Sequence, residues 1–267
     1  MECLSFDFIP LPDRTVKPRN EGLTMAIDRG ISGNILHQTI RDYGEYIDVL
    51  KIGWGTSRLM RKYSLISKIN MCEESGVSAM PGGTLLEIAS AHGKEMEFLE
   101  AARMYGFSHI EVSCGTFCLD GRKKEIIRCA KDMDFTVFSE VGRKAESWEA
   151  NLRELADEAR CDLDSGASKV ILEGRESGTC GIYTKDGSVK LDIVDAISNE
   201  IPLPKLIFEA PQKKQQVFFI SRYGNDVNLG NIAMDDVLSL ETLRRGLRGD
   251  TTLQFHREVG HAVAAGN

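Results

Sequence analysis

Eight short apolar runs alternate with longer helix-like stretches along the 267 residues, and no GxGxxG follows the first run. Together these observations predict an α/β fold closed as a single-domain (β/α)8 barrel of the TIM type, rather than an open, doubly wound sheet. The length agrees. Such a barrel typically takes about 250 residues, which leaves peripheral arms at about 1–20 and 252–267.

The first four predicted strands are LTMAID (23–28), IDVLKIG (47–53), VSAMPG (77–82) and HIEVSCG (109–115). The second four are TVFSEVG (136–142), KVILEGR (169–175), LIFEAP (206–211) and DVNLGNI (226–232). Strands alternating with helices in this way indicate a parallel sheet. Between them apolar positions recur at intervals near 3.6, for example in 95–106, 147–166 and 235–249, which predicts helices. Several of these stretches close on glycine, at Gly76, Gly106 and Gly166, the residue that enters the left-handed C-cap conformation at least cost. No linker or low-complexity tract divides the chain.

Bulk properties narrow the function. A formal net charge of −7 argues against a general nucleic-acid binder. No apolar run approaches the ~20 residues of a membrane span. The N-terminus, MECLSFDFIPLPDR, lacks a basic region followed by an apolar core, so no signal peptide is expected. Seven cysteines form no CxxC pair, and their odd number in a long chain suggests reduced thiols and a cytoplasmic location.

In a barrel the chemistry sits at the C-terminal ends of the strands. Glu111, Glu140, Glu173 and Glu209 all fall just before such ends, Asp28 closes the first strand, Lys51 interrupts VLKIG, and Asn228 lies in the eighth. Each alone could be neutralised structurally. Together they mark a site, because unpaired charges in a packed interior are costly. Carboxylates without histidine or thiolate partners select a hard cation, and Mg²⁺ is the expected cofactor, with these four glutamates as its candidate ligands. His37, His92, His256 and His261 lie away from the strand ends, and His109 begins a strand, so zinc is not expected.

Three loops look suited to anions. Gly82 and Gly83 follow the third strand, Arg175 and Ser177 lie in GRESG after the sixth, and Gly230 with Asn231 falls at the eighth. The basic cluster Arg244, Arg245 and Arg248 could hold an anion or a neighbouring subunit. Cations completing a helix C-terminus are the preferred explanation.

The motifs KIGWGTS (51–57), PGGTLLE (81–87), SEVGRK (139–144), EGRESG (173–178), FEAPQKKQQV (208–217) and VNLGNIAMDDVLSLETLRRGLRGDT (227–251) closely resemble the phosphosulfolactate synthase family. The likeness runs over about residues 20–251. It implies a (β/α)8 barrel, Mg²⁺ dependence, and a homo-oligomer with a trimer as the expected form. The implied reaction adds sulfite to phosphoenolpyruvate, giving (R)-phosphosulfolactate, a precursor of coenzyme M. Lys144 matches the lysine proposed as the family's general acid, and Lys51 is expected to hold phosphate or sulfite. Ser113-Cys114-Gly115-Thr116 departs from the family's usual S-(D/N)-G-(S/T), which leaves two explanations. Cys114 is either a tolerated small residue, the preferred one, or the mark of a changed nucleophile. Two alternatives to the synthase remain: a related phosphoenolpyruvate lyase using another nucleophile, and a non-catalytic heat-stress-associated relative. The intact EGRESG and LETLRRGLRG segments speak for an enzyme.

Overall fold

The computed structural model describes residues 4–117, 119, 121–142 and 152–256. Eight parallel strands form one sheet: β1 (Thr24–Asp28), β2 (Val49–Ile52), β3 (Ser78–Pro81), β4 (His109–Val112), β5 (Thr136–Val141), β6 (Lys169–Leu172), β7 (Leu206–Glu209) and β8 (Leu229–Ala233). Their hydrogen-bonded order is β3-β2-β1-β8-β7-β6-β5-β4. The two ends of this order, β3 and β4, meet and bring the ring round to a nearly closed barrel. Each predicted strand is present, the first seven trimmed at their ends and the eighth starting and ending later.

The larger helices form the outer ring: α1 (Gly33–Tyr43), α2 (Thr56–Leu59), α3 (Lys62–Glu74), α4 (Gly83–Ala91), α5 (Glu95–Tyr105), α6 (Lys123–Asp132), α7 (Leu152–Ser165), α8 (Leu191–Glu200), α9 (Lys213–Tyr223) and α10 (Val237–Arg244). A short α11 (Thr252–Phe255) opens the C-terminal arm. Local sequence explains several boundaries. Ser32 caps α1 by accepting the Ile35 N–H, Gln212 and Gln215 make a capping box on α9, and Gly106 ends α5 at φ +94°.

Two apolar layers hold the barrel together. One lies between sheet and helices. The other is a plug inside the ring, built from Leu23, Met25, Val49, Met80, Phe138, Ile171 and Ile207. Side chains two apart on a strand share a face. The residues one step above the plug are therefore Lys51 over Val49, Glu140 over Phe138, Glu173 over Ile171 and Glu209 over Ile207. A greasy floor thus supports a charged layer at the C-terminal end.

The eighth strand begins later than the sequence suggests, at Leu229 rather than 226. Asn228 consequently precedes it. Its Oδ1 accepts the Leu23 N–H at 2.9 Å, and its Nδ2 donates to the Leu206 carbonyl at 2.8 Å, both at the N-terminal end of the barrel. The expected substrate role for Asn228 is thereby corrected: it stitches β1 to β7 at the far end from the site. The basic cluster is structural as well. Arg244 is fully buried and donates to the carbonyls of Leu23, Val227 and Asn225, while Arg245 reaches the Pro12 carbonyl.

The N-terminal arm lies across this same end. Arg19 pairs with Asp48 at 2.9 Å, and Lys17 donates to the carbonyls of Gly44 and Gly76. No described helix is long and apolar enough to cross a membrane.

Candidate active site

At the C-terminal mouth a cavity of about 270 Å³ opens above the plug, large enough for a small molecule and not for a polymer. Lys51, Gly82, Gly83, Glu111, Glu140, Glu173, Arg175, Ser177, Glu209 and Asn231 line it, so ten of the residues singled out from the sequence converge here. Thr84 and Glu176, from the two anion loops read in the sequence, also line it, as do Ile27 and Trp54, which were not foreseen. Lys144 lies outside the described residues.

Glu140, Glu173 and Glu209 each offer a carboxylate oxygen within 4.8 Å of the other two, and all three are buried. Backbone amides fix two of them. Glu173 Oε1 accepts the Arg175 N–H at 2.7 Å, and Glu209 Oε2 accepts the Gly174 N–H at 2.9 Å. Three buried oxygen donors, with no histidine or thiolate among them, suit a hard divalent cation. Repulsion among three carboxylates in a low-dielectric site is what such a cation would relieve.

Glu111 stands apart from this trio. Its Oε2 lies 2.6 Å from Lys51 Nζ, and its Oε1 accepts the Gly83 N–H at 3.0 Å. Lys51 also reaches Glu209 Oε1 at 3.2 Å. Burial acts to lower the Lys51 pKa, but the surrounding carboxylates of Glu111, Glu209 and Glu140 outweigh it and hold the ammonium well above its ordinary range. Burial pushes Glu111 up to about 7, with Lys51 opposing the rise and Glu140 and Glu209 adding to it.

The glycines act through close approach. A Cβ at Gly82 would meet the Trp54 backbone nitrogen at 2.6 Å, and one at Gly83 would meet Ser113 Oγ at 2.5 Å. The Gly83 N–H, expected to face a phosphate, is taken by Glu111. Gly230 lies in the interior, where a Cβ would strike Met25 Cε at 2.6 Å, so packing demands a glycine there. It does not line the cavity.

Backbone strain gathers at the mouth. Five described non-glycine residues have positive φ, and three of them, Trp54 (+51°), Arg175 (+54°) and Asn231 (+54°), line the cavity. Such conformations cost of order 1–3 kcal/mol each and collect where a ligand must be met. The buried Asn231 Oδ1 has no hydrogen-bond partner among the described residues.

Cys114 does not line the cavity. Burial pushes its thiol up to about 11, so it is protonated near neutrality. The loop that carries it is instead held by buried Glu87, which accepts the Ser113 hydroxyl and the N–H groups of Gly115, Thr116 and Phe117. Sequence reasoning quoted Glu87 only as the end of PGGTLLE. Its helical position gave no hint of a loop clamp.

Fold and site together define a (β/α)8-barrel enzyme with a buried carboxylate centre able to hold a metal ion. The family model described as (2R)-phospho-3-sulfolactate synthase (ComA) matches residues 12–250. The chain belongs to this family, the phosphosulfolactate synthases. It is 45% identical over 236 residues to the Methanocaldococcus jannaschii "Phosphosulfolactate synthase", covering 86% of this chain and 93% of that one. It is 40% identical over 253 residues to the Bacillus subtilis protein of the same name, covering 91% and 97%. The Arabidopsis thaliana "Protein HEAT-STRESS-ASSOCIATED 32" is a more distant relative, 24% identical over 263 residues, with 87% and 88% covered.

Proposed function

We propose that this chain catalyses the addition of sulfite to phosphoenolpyruvate, giving (R)-2-phospho-3-sulfolactate. The observation that carries the reading is the buried trio Glu140, Glu173 and Glu209 at the mouth of a barrel of this family. Much higher identity to the synthases than to the heat-stress protein supports an enzyme over the non-catalytic alternative. Glu140, Glu173 and Glu209 would hold Mg²⁺. When bound, the ion supplies positive charge against the negative charge that gathers on the substrate carboxylate.

In this reaction the sulfite sulfur bonds to the methylene carbon, and the electrons of the double bond shift toward the carboxylate. Lys144 then delivers a proton to the carbon that bears the phosphate ester. Lys51, fixed between Glu111 and Glu209, supplies a permanent cation in the cavity floor that draws the anionic phosphate or sulfite. Arg175 and Ser177, from the loop after β6, and Asn231, on β8, orient the substrate. The protonated thiol of Cys114, outside the cavity, supports sulfite rather than a changed nucleophile.

A cytoplasmic setting agrees with free Cys72, Cys114, Cys129, Cys161 and Cys180. Assembly into a homo-oligomer, a trimer by family expectation, belongs to the same reading.

Phosphorus NMR tests the reading. Phosphoenolpyruvate should be consumed only when sulfite and Mg²⁺ are both present, with no inorganic phosphate released, because the C–O–P linkage is untouched. Chelation should stop turnover. Consumption with another nucleophile and not with sulfite would overturn the sulfite assignment. No consumption with any nucleophile would overturn the enzyme reading.

A further inference from the structure

Beyond the loops already assigned to the substrate, the mouth carries one more cation. We propose that Arg29 is a substrate-binding residue that grips the phosphate of phosphoenolpyruvate, and that Glu176 holds its guanidinium over the mouth until the phosphate takes it. The inference rests on the phosphoenolpyruvate reading above.

The turn beneath Arg29 is fixed from below. Asp28 Oδ1 accepts the N–H groups of Gly30 at 2.7 Å and Ile31 at 2.8 Å, while Oδ2 is bound by Lys68 Nζ. Lys68 also donates to the Ile31 carbonyl at 2.6 Å, and both Asp28 and Lys68 are buried. This scaffold fixes the turn at the C-terminal end of β1 from which the exposed Arg29 side chain extends.

From there Arg29 reaches Glu176, Nη1 to Oε1 at 3.0 Å, and Glu176 lines the cavity. Arg29 follows β1 and Glu176 follows β6, while β8 and β7 lie between those strands in the sheet. The pair therefore spans the ends of β7 and β8, the sector where barrels of this kind commonly bind phosphate. Both side chains are nearly half exposed, at 48% and 42%. An exposed ion pair adds little to stability and is readily exchanged for a better anion. A guanidinium fork matches two phosphate oxygens more closely than one carboxylate oxygen at the rim.

Among the described lining residues five carboxylates (Glu111, Glu140, Glu173, Glu176 and Glu209) stand with two cations, Lys51 and Arg175. Moving Arg29 from Glu176 to the phosphate adds positive charge at the place where the ester must sit.

The test compares the parent with Arg29→Met, Arg29→Lys and Glu176→Gln, all assayed with Mg²⁺ and saturating sulfite. Arg29→Met should raise KM for phosphoenolpyruvate roughly tenfold or more, leave KM for sulfite nearly unchanged, and lower kcat much less. Arg29→Lys should recover part of the loss, and Glu176→Gln should lower KM for phosphoenolpyruvate, because the guanidinium no longer has to leave a carboxylate. A KM for phosphoenolpyruvate within about twofold of the parent in Arg29→Met, with the parent active, overturns the assignment and leaves the synthase reading standing. A roughly tenfold rise in Glu176→Gln also overturns it, because the ion pair rather than the free guanidinium would then matter. Calorimetric titration of phosphoenolpyruvate with Mg²⁺ separates the two readings. Tight binding by the parent that Arg29→Met weakens supports Arg29 even without turnover with sulfite, whereas equal binding, or none by the parent, overturns it.

Discussion

Lys144 carries the heaviest chemical demand in the proposed reaction, since the carbon it protonates has no other assigned acid. Lys144→Ala should lower kcat by about 10²-fold or more while the circular dichroism spectrum and melting temperature stay at parent values. Near-normal kcat would remove it from the mechanism. Glu140, Glu173 and Glu209 were legible in the sequence because a carboxylate inside an apolar, strand-length run has few structural excuses. The same logic failed at Asn228, where a polar residue in an apolar run proved to be a stitch at the opposite end. One sequence shows that a polar group sits in a strand region, but not where the hydrogen-bond ladder begins, and that offset decides which end of the barrel it faces. Trp54 escaped notice for another reason: an aromatic residue is read as core unless its backbone conformation is known, and here φ is +51°.

At the scale of elements, the turn from β3 into α4 shows how loop geometry and site geometry are one problem. Gly82 and Gly83 were expected to expose amides to phosphate. Instead they let the turn come close enough to β2 and β4 for Gly83 to hold Glu111 in place. Gly83→Ala should therefore push Glu111 and Ser113 aside, costing about 1–3 kcal/mol of stability and much of the activity. Urea unfolding and steady-state rates check this, and a variant with parent stability would show that the turn can shift freely. The alternation of eight strands with helices was legible from periodicity alone. The Glu87 clamp was not, because its four donors come from a loop some 26–30 residues further along the chain.

For the whole molecule, the interior below the charged layer sets the response to acid. His109 stacks edge-on against Phe138, with ring centroids 5.2 Å apart, and burial pushes its pKa from the ordinary 6.5 down to about 4. A histidine whose folded pKa lies below its unfolded one takes up its proton more readily when the chain unfolds. Its contribution to stability is thus intact above pH ~6.5 and is lost progressively as pH falls from about 6.5 to about 4. His109→Gln should flatten the fall of melting temperature over that window relative to the parent, as read by scanning calorimetry. Identical slopes would place the acid sensitivity elsewhere, among the carboxylates.

The meeting of β3 and β4 has a further consequence. Every other neighbouring pair of strands shares a backbone ladder, whereas this junction, among the described residues, is bridged by side chains: Glu111 to the Gly83 amide, and Glu87 to the loop after β4. The ring is a clasped bracelet, and two residues of the clasp, Gly83 and Glu111, also line the cavity. Amide protons flanking the clasp belong to the part of the barrel that opens at least cost, and they should exchange with solvent before those of β6 and β7. A ligand that engages Lys51 on β2 and Glu111 on β4 reaches across the gap and tightens the whole hoop. Occupancy of the mouth thereby becomes a mechanical property of the barrel as much as a chemical one.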